Sequence, residues 1–497
     1  MTTRLFRLAA TGAAPLFCAL ALGIAAPADA APLSYRTVAL TGHPAPGTAE
    51  PFDYLATAGS VNNAGQAAFN GYTATTEGVW SEGGGSLAPV ALAGDAAPGT
   101  GGAAFEYFDI PVINDSGKVS VGGYLDDGRF GHFTNASGSL AKVAVTGDAA
   151  PGTASSFDYI DAAPFNNAGR SVFGAVLASG EEGLWSDRSG SLAKIAVTGD
   201  AAAGTASSFE YLIDEYPVIN DSGTIAFSAI LANGDEGVWR DDGTQAKVAV
   251  TGDAAAGTAN NFTYVLGPTI NNAGQVAFIA GLDDIGGNEG IWIDSAGTQT
   301  KVAQTGEAAP GAGDTFDYMG YPLINGAGDV AFDAALAGGG YGIWSTASGG
   351  LHKVAEEGDA AAGTDALFDF LTFYGINGNG QVAVSAILDD GSAGVWAEDP
   401  FGVLSKIVSS GDLLEVAAGD SRTVEYAYLF GYAGNEEGFP SPFGDNGDLL
   451  FFALFDDGSS GVFVAGFEDL VAVPAPAAGL IFAAGVLALG ALRRRRA

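Results

Sequence analysis

One segment recurs eight times along the chain and constrains its fold more than any other feature. Its clearest form, Asn220-Asp221-Ser222-Gly223-Thr224-Ile225-Ala226-Phe227, returns at 62–69, 114–121, 166–173, 271–278, 325–332 and 377–384, with a divergent copy at 444–451. Successive starts are 52, 52, 54, 51, 54, 52 and 67 residues apart. Such a period marks a repeat architecture in which each unit is one supersecondary module. A repeat array grows as one body, so residues 31–472 read as one repeat domain flanked by a signal peptide at 1–30 and a C-terminal sorting signal at 473–497.

The copy that starts at Lys194 shows what the module is. Lys194 to Thr198 alternates as a strand does, Phe209 to Tyr211 and Tyr216 to Ile219 follow a Gly/Ala-rich loop, and Thr224 to Leu231 and Gly237 to Arg240 complete the unit. Asn, Asp and Gly turns separate these runs and no helical period intervenes. Four short antiparallel strands in about 52 residues are the content of one propeller blade, whereas the coils of a parallel β-helix have shorter turns. The expected fold is therefore all-β, an eight-bladed β-propeller. Its body opens on a fourth-type strand, Arg36 to Thr41, and stops on a third-type strand, Gly461 to Phe463, so the N-terminal strand is expected to complete the last blade and close the ring.

All six tryptophans (Trp80, Trp185, Trp239, Trp292, Trp344, Trp396) share one repeat position, with Phe133 and Phe463 in the other copies, and are expected to pack between neighbouring sheets rather than to serve as sugar platforms. The aromatic pairs Phe52/Tyr54, Phe105/Tyr107, Phe157/Tyr159, Phe209/Tyr211, Phe262/Tyr264, Phe316/Tyr318 and Phe368/Phe370 are expected as core or loop anchors. Lys142, Lys194, Lys247, Lys301, Lys353 and Lys406 begin the fourth strands and are expected to pair with carboxylates between blades.

The two ends carry addresses. Arg4 and Arg7 precede an apolar run from Leu8 to Ile24, and Ala28-Asp29-Ala30 places small residues at Ala28 and Ala30 for signal-peptidase cleavage after Ala30. Cys18, the single cysteine, leaves with that segment, so the mature chain has no thiol chemistry. At the other end Val473-Pro474-Ala475-Pro476-Ala477 precedes an apolar run from Ala478 to Leu492 and the cluster Arg493-Arg494-Arg495-Arg496. This tripartite end resembles the VPLPA variant of the PEP-CTERM sorting signals, with Ala475 in place of leucine. The resemblance implies an exosortase-like sorting enzyme as partner and membrane attachment before processing. The arginines would stay cytoplasmic and leave the repeats outside the inner membrane, at the cell surface or beyond it.

Without its ends the body keeps 13 basic against 56 acidic residues, a net charge of −43. That surface repels nucleic acid and favours cations. The repeat also resembles the extracellular NxxGxxAF tandem repeat of choice-of-anchor surface proteins, best at 62–69, 166–173, 220–227, 271–278 and 325–332. The resemblance implies a secreted or surface-attached protein and supplies no catalytic residues.

Catalytic residues are not legible either. His43, His132 and His352 occupy unrelated repeat positions, and no GxSxG, HExxH or phosphate-loop pattern stands in context. No cofactor is assigned. The acidic loops offer one candidate: propeller topology places Asp95, Asp148, Asp200, Asp253, Glu307, Asp359 and Asp412 on one face with Glu77, Asp127, Glu182, Glu236 and Glu289. Such a carboxylate face could bind calcium, and through it an anionic extracellular polysaccharide. The first-choice reading is plainer: each Thr-Gly-Asp aspartate caps its own turn. The expected function is a non-enzymatic binding or scaffold component of the matrix or envelope. A secreted glycoside hydrolase or lyase is the alternative, and the irregular stretch Asp420 to Phe443 is where symmetry should break if a single site exists.

Overall fold

The computed structural model describes residues 33–467 except 162, 213–215, 284–285, 430–437 and 440. Both terminal signals, with Ala28, Ala30, Val473 to Ala477 and Arg493 to Arg496, lie outside the described residues. Among the described residues there is no α-helix, only a 3-10 turn at Ala347–Gly349, and no helix long and apolar enough to cross a membrane.

The strands form eight antiparallel sheets, one per repeat. In the blade of the Lys247 copy the first strand comes in two pieces, Phe209–Tyr211 and Val218–Ile219, followed by Ile225–Leu231, Glu236–Asp241 and Gln245–Val250. The second strand is apolar almost throughout because both of its faces are covered by neighbouring sheets. Gly223 turns the chain between the first and second strands at φ +81°, a conformation L side chains rarely adopt.

Closure follows the expected route. Leu33–Leu40 pairs with Ser460–Phe467, from Leu33 opposite Phe467 to Leu40 opposite Gly461, and becomes the outer strand of the eighth blade. There are eight apolar cores, one in each gap between blades, and the one between the eighth and first blades joins Val38, Leu450 and Val464 to Phe52, Phe69 and Trp80. Burial therefore accrues around a ring and not at one centre.

The tryptophans are fully buried in these gaps. In all six of their blades the indole meets the edge of the blade's own phenylalanine at 5.0 Å, as with Phe209 and Trp239, and its N–H donates to a backbone carbonyl of the lead-in loop, Trp239 to Ala203 at 3.0 Å. A glycine is the second residue of the same strand because nothing larger fits beneath the ring: a Cβ on Gly237 would stand 2.3 Å from Val250 Cγ2 and 2.9 Å from Trp239 Cη2.

Candidate functional site

The blades are tied at the centre by a girdle of asparagines. The side-chain amide of Asn62 donates to the carbonyl of Asn114 at 2.9 Å, Asn114 to Asn166 at 3.1 Å, Asn166 to Asn220 at 2.7 Å and Asn220 to Asn271 at 2.9 Å. Asn271 then donates to Asn325 at 2.9 Å, Asn325 to Asn377 at 3.1 Å, and Asn377 to Gly444 at 3.2 Å. All seven are buried, and each side-chain oxygen also accepts backbone N–H groups of its own turn, as Asn220 does from Thr224 at 2.9 Å. A second, more exposed arc runs beside it: Asn63, Asp115, Asn167, Asp221 and Asn272 alternate amide and carboxylate and bond to one another across the gaps. Asp445 extends it at the other end, accepting from Asn63 at 2.8 Å. Burial, and the charges of Asp445 and Asp221, hold the Asp115 carboxyl above its ordinary range.

These turns identify the first strands as the innermost. At their opposite end every blade carries a phenylalanine-type anchor, an exposed residue and an aromatic. Phe209 is buried opposite Leu231, Glu210 is the extra residue of a bulge, and Tyr211 pairs with Ile230. The bulge turns two successive side chains outward. Tyr54, Tyr107, Tyr159, Tyr211, Tyr318, Phe370 and Tyr426 are consequently 43–54% exposed, and the eighth, Tyr264, donates to Glu289 at 2.5 Å. Exposed acids precede them at Asp53, Glu106, Asp158, Glu210, Asp317, Asp369 and Glu425. The aromatic pairs expected as anchors thus divide: the phenylalanines are core, and the second members form a rim. The missed signal was the acid between them, present in seven of eight copies.

The irregular last repeat breaks the symmetry as expected. Three of its described residues contact other blades: the Gly438 carbonyl accepts from Phe165 N–H at 2.7 Å in the third blade, Phe439 packs beside Val218 and Val265, and the Ser441 carbonyl accepts from Val61 N–H at 2.9 Å in the first. Phe165 and Val61, and Ile219 beside Gly438, each precede a girdle asparagine, so Gly438 and Ser441 lie next to the girdle. The first strands therefore wall a central well, with Gly438, Phe439 and Ser441 at the girdle end and the aromatic–acid rim at its mouth.

Two wall sectors differ from the rest. In blades two and three Asp109 and Asp161 hold matching positions, where Leu266 and Thr372 stand in later copies. Tyr107 stacks on Tyr124 at 4.1 Å, Tyr159 lies 3.5 Å from the Asp161 carboxylate, and Tyr216 meets Phe439 edge-on at 6.0 Å. Burial, and then the Asp161 charge, push the Asp109 carboxyl up. On the other side Asp333, half-buried, accepts from the buried Tyr374 at 2.9 Å and from Tyr341.

The acidic residues singled out in the sequence are individually engaged. Asp148, Asp200, Asp253 and Asp412 each accept both a lysine and a backbone N–H three residues earlier, and Asp95 accepts from Leu92 N–H. Glu307 and Asp359 pair with Lys301 and Lys353. The lysines' partners lie six residues on in the same chain segment, which corrects the expectation of pairing between blades; the step from outer strand to lead-in loop is too short to reach elsewhere. Glu182 and Glu289 open third strands instead of lying in loops, as does Glu236, and they reach the next blade, accepting from Leu212 N–H at 3.1 Å and Met319 N–H at 2.8 Å. Among the described residues no three His, Cys, Asp or Glu side chains gather as a metal-holding group.

A closed eight-bladed ring with a central well defines the chain as a β-propeller protein. It belongs to the Family of unknown function (DUF7453), whose model matches residues 70–480. No curated protein matches the chain. Similar solved structures include the β-propeller domain of the Trilobed protease from Pyrococcus furiosus (10% identity, 73% of this chain and 97% of that one, TM-score 0.39) and Saccharomyces cerevisiae Sqt1 (12%, 84% and 97%, 0.38). The WD40 domain of SCAP from fission yeast is another (9%, 88% and 98%, 0.38). These likenesses carry nothing about activity.

Proposed function

We propose that this propeller is a non-enzymatic binding component of the cell surface or extracellular matrix, exported by its N-terminal signal, sorted by an exosortase-like enzyme, and binding through the well. The observation that supports a binding role is the near-uniform rim: eight blades place an aromatic at the same position, tyrosine in seven, and seven place Asp or Glu before it, which suits repeated contact with an extended ligand better than one bond-breaking event. Expression of the full-length chain in a host with an exosortase should yield a product starting at residue 31, shortened at its C-terminus and recovered outside the cytoplasm. An intact product retained in the cytoplasm overturns the reading. Asp109 and Asp161, a carboxylate pair without counterparts in the later blades, favour the second reading, a polysaccharide-cleaving enzyme; reducing ends released from matrix polysaccharide and lost in Asp161→Asn would establish it.

A further inference from the structure

The first and last described residues, Leu33 and Phe467, lie on the girdle face of the ring. In the eighth blade Leu449–Phe455 runs from the girdle turn that holds Asp448 to the rim-side turn 456–459, and Ser460–Phe467 returns, so Phe467 ends beside the girdle turns. Leu33 stands opposite it, and a Cβ on Gly466 would lie 2.7 Å from Asp448 Oδ1. The rim is at the far end of that strand, eight residues or about 26 Å away. Ten residues, 468–477, separate Phe467 from the apolar run that begins at Ala478. They reach at most about 35 Å, so they pass the rim only by running back along the blade nearly straight. Toward the girdle side they need no such extension.

The two faces also differ in charge. Among the described residues the rim and the turns between second and third strands carry sixteen acids against Arg129 and Arg422, both paired with acids of those turns. The girdle-side turns carry nine acids, and five cations stand among them, Arg36, Lys118, Arg170, Arg188 and Arg240. Three of these donate to the carbonyl of a girdle-turn glycine in the next blade: Arg36 to Gly65 at 2.7 Å, Arg188 to Gly223 at 3.5 Å and Arg240 to Gly274 at 3.3 Å. A bilayer bearing anionic headgroups therefore repels the rim face more strongly than the girdle face, over a Debye length of about 8 Å at physiological salt. Exit point and charge favour the same orientation.

We propose that the anchored protein stands with its girdle face toward the membrane and its rim and well open to the exterior, so that a ligand arrives from outside and not from the membrane that carries the protein. The inference rests on the reading of the C-terminal signal as a membrane attachment before processing.

Paired labels in the fourth blade test this orientation. Expressed whole in a host without an exosortase, the chain should lose Cys18 with its signal peptide and keep residues 473–497. It is then added to phosphatidylethanolamine–phosphatidylglycerol vesicles that carry an acceptor dye. Ala232→Cys puts a donor dye on a rim-side turn and Thr244→Cys on a girdle-side turn, both exposed and about 20 Å apart along the strand Glu236–Asp241. Ser179→Cys and Ser189→Cys repeat the comparison in the third blade. Energy transfer to the membrane should be at least twice as strong from residue 244 as from 232, and likewise from 189 as from 179. Equal transfer, from a ring standing on edge, or stronger transfer from the rim side overturns the proposal while the anchor reading stands. A chain that stays in solution and does not float with the vesicles overturns the anchor reading and the orientation together.

Discussion

The side-chain amide of Asn377 donates to the carbonyl of Gly444 at 3.2 Å, and Gly444 has no side chain to pass the bond on to Asn62. A girdle that links seven gaps identically is thus interrupted at the eighth, the gap where the two ends of the repeat domain meet. There Asp445 and Asn63 bridge in its place, with Asp445 N–H donating to Asn63 Oδ1 at 2.6 Å. A Cβ built on Gly444 points at the Asn62 carbonyl 3.0 Å away, with Asn446 Oδ1 at 2.9 Å. Gly444→Asn should therefore complete the girdle once Asn446 yields, a gain of about 1 kcal/mol that a raised unfolding temperature would register. The converse change, Asn220→Ala, removes the bond to the Asn271 carbonyl and strands the buried N–H of Thr224, and should cost about 2–3 kcal/mol.

The glycine under each tryptophan sets a second expectation. Gly237→Ala forces a methyl against Val250, the Ala249 carbonyl at 2.7 Å and Trp239, two of them parts of a paired sheet that cannot move aside. The overpacking should cost about 1–3 kcal/mol in chemical denaturation. Trp239→Phe keeps the apolar contact but loses the N–H donated to Ala203, and the second blade, which has Phe133 at this position, shows the exchange is compatible with the fold. Its cost should be smaller than that of Trp239→Ala, about 3–5 kcal/mol.

How much of this could be read from the chain depended on whether the cause was local. Period, strand count and closure are written in turn residues and alternation that recur eight times, so Arg36 to Thr41 identified the closing strand within a few residues of Leu33–Leu40. The tryptophan position was legible for the same reason. The outward turn of Tyr211 was not, because a bulge decides it, although the acid before it, Glu210, was a signal repeated in seven of eight copies. The girdle needed the ring to exist first: Asn220 looks like a turn former, and only the approach of Asn271 from the next blade gives its amide a second task. The bonds of Gly438 to Phe165 and of Ser441 to Val61 are likewise long-range facts, although the irregular position of these residues in the sequence pointed to them.

The ion pairs of the lead-in loops should prove unequal partners. Lys194 and Asp200 are both partly exposed, so Lys194→Ala should change stability by well under 1 kcal/mol, and less still in high salt. Asp200→Ala should cost more, about 1 kcal/mol, since Asp200 Oδ2 also accepts from Val197 N–H at 3.0 Å and that bond holds the turn into the next blade. Parallel urea titrations of the two variants would show the difference.

His132 gives the fold a pH dependence of known sign. It sits where the other blades have Val79, Leu184, Val238, Ile291, Ile343, Val395 and Val462, fully buried between Phe130 and Phe173 with its ring on the Asp161 carbonyl. Burial pushes its pKa down from 6.5 to about 4. The unfolded chain therefore takes up a proton near pH 6.5 that the folded chain refuses until about pH 4, so stability present above 6.5 is lost as pH falls through that window, by about 3 kcal/mol at its end. Asp109, Asp115 and Asp448 are shifted upward by burial, bind protons more readily when folded, and act in the opposite direction. Comparing the wild type with His132→Leu cancels those carboxylate contributions. Unfolding at pH 7.5 and pH 4.5 should show a larger drop in the wild type than in the variant, and equal drops would mean that the imidazole is solvated and free to ionise.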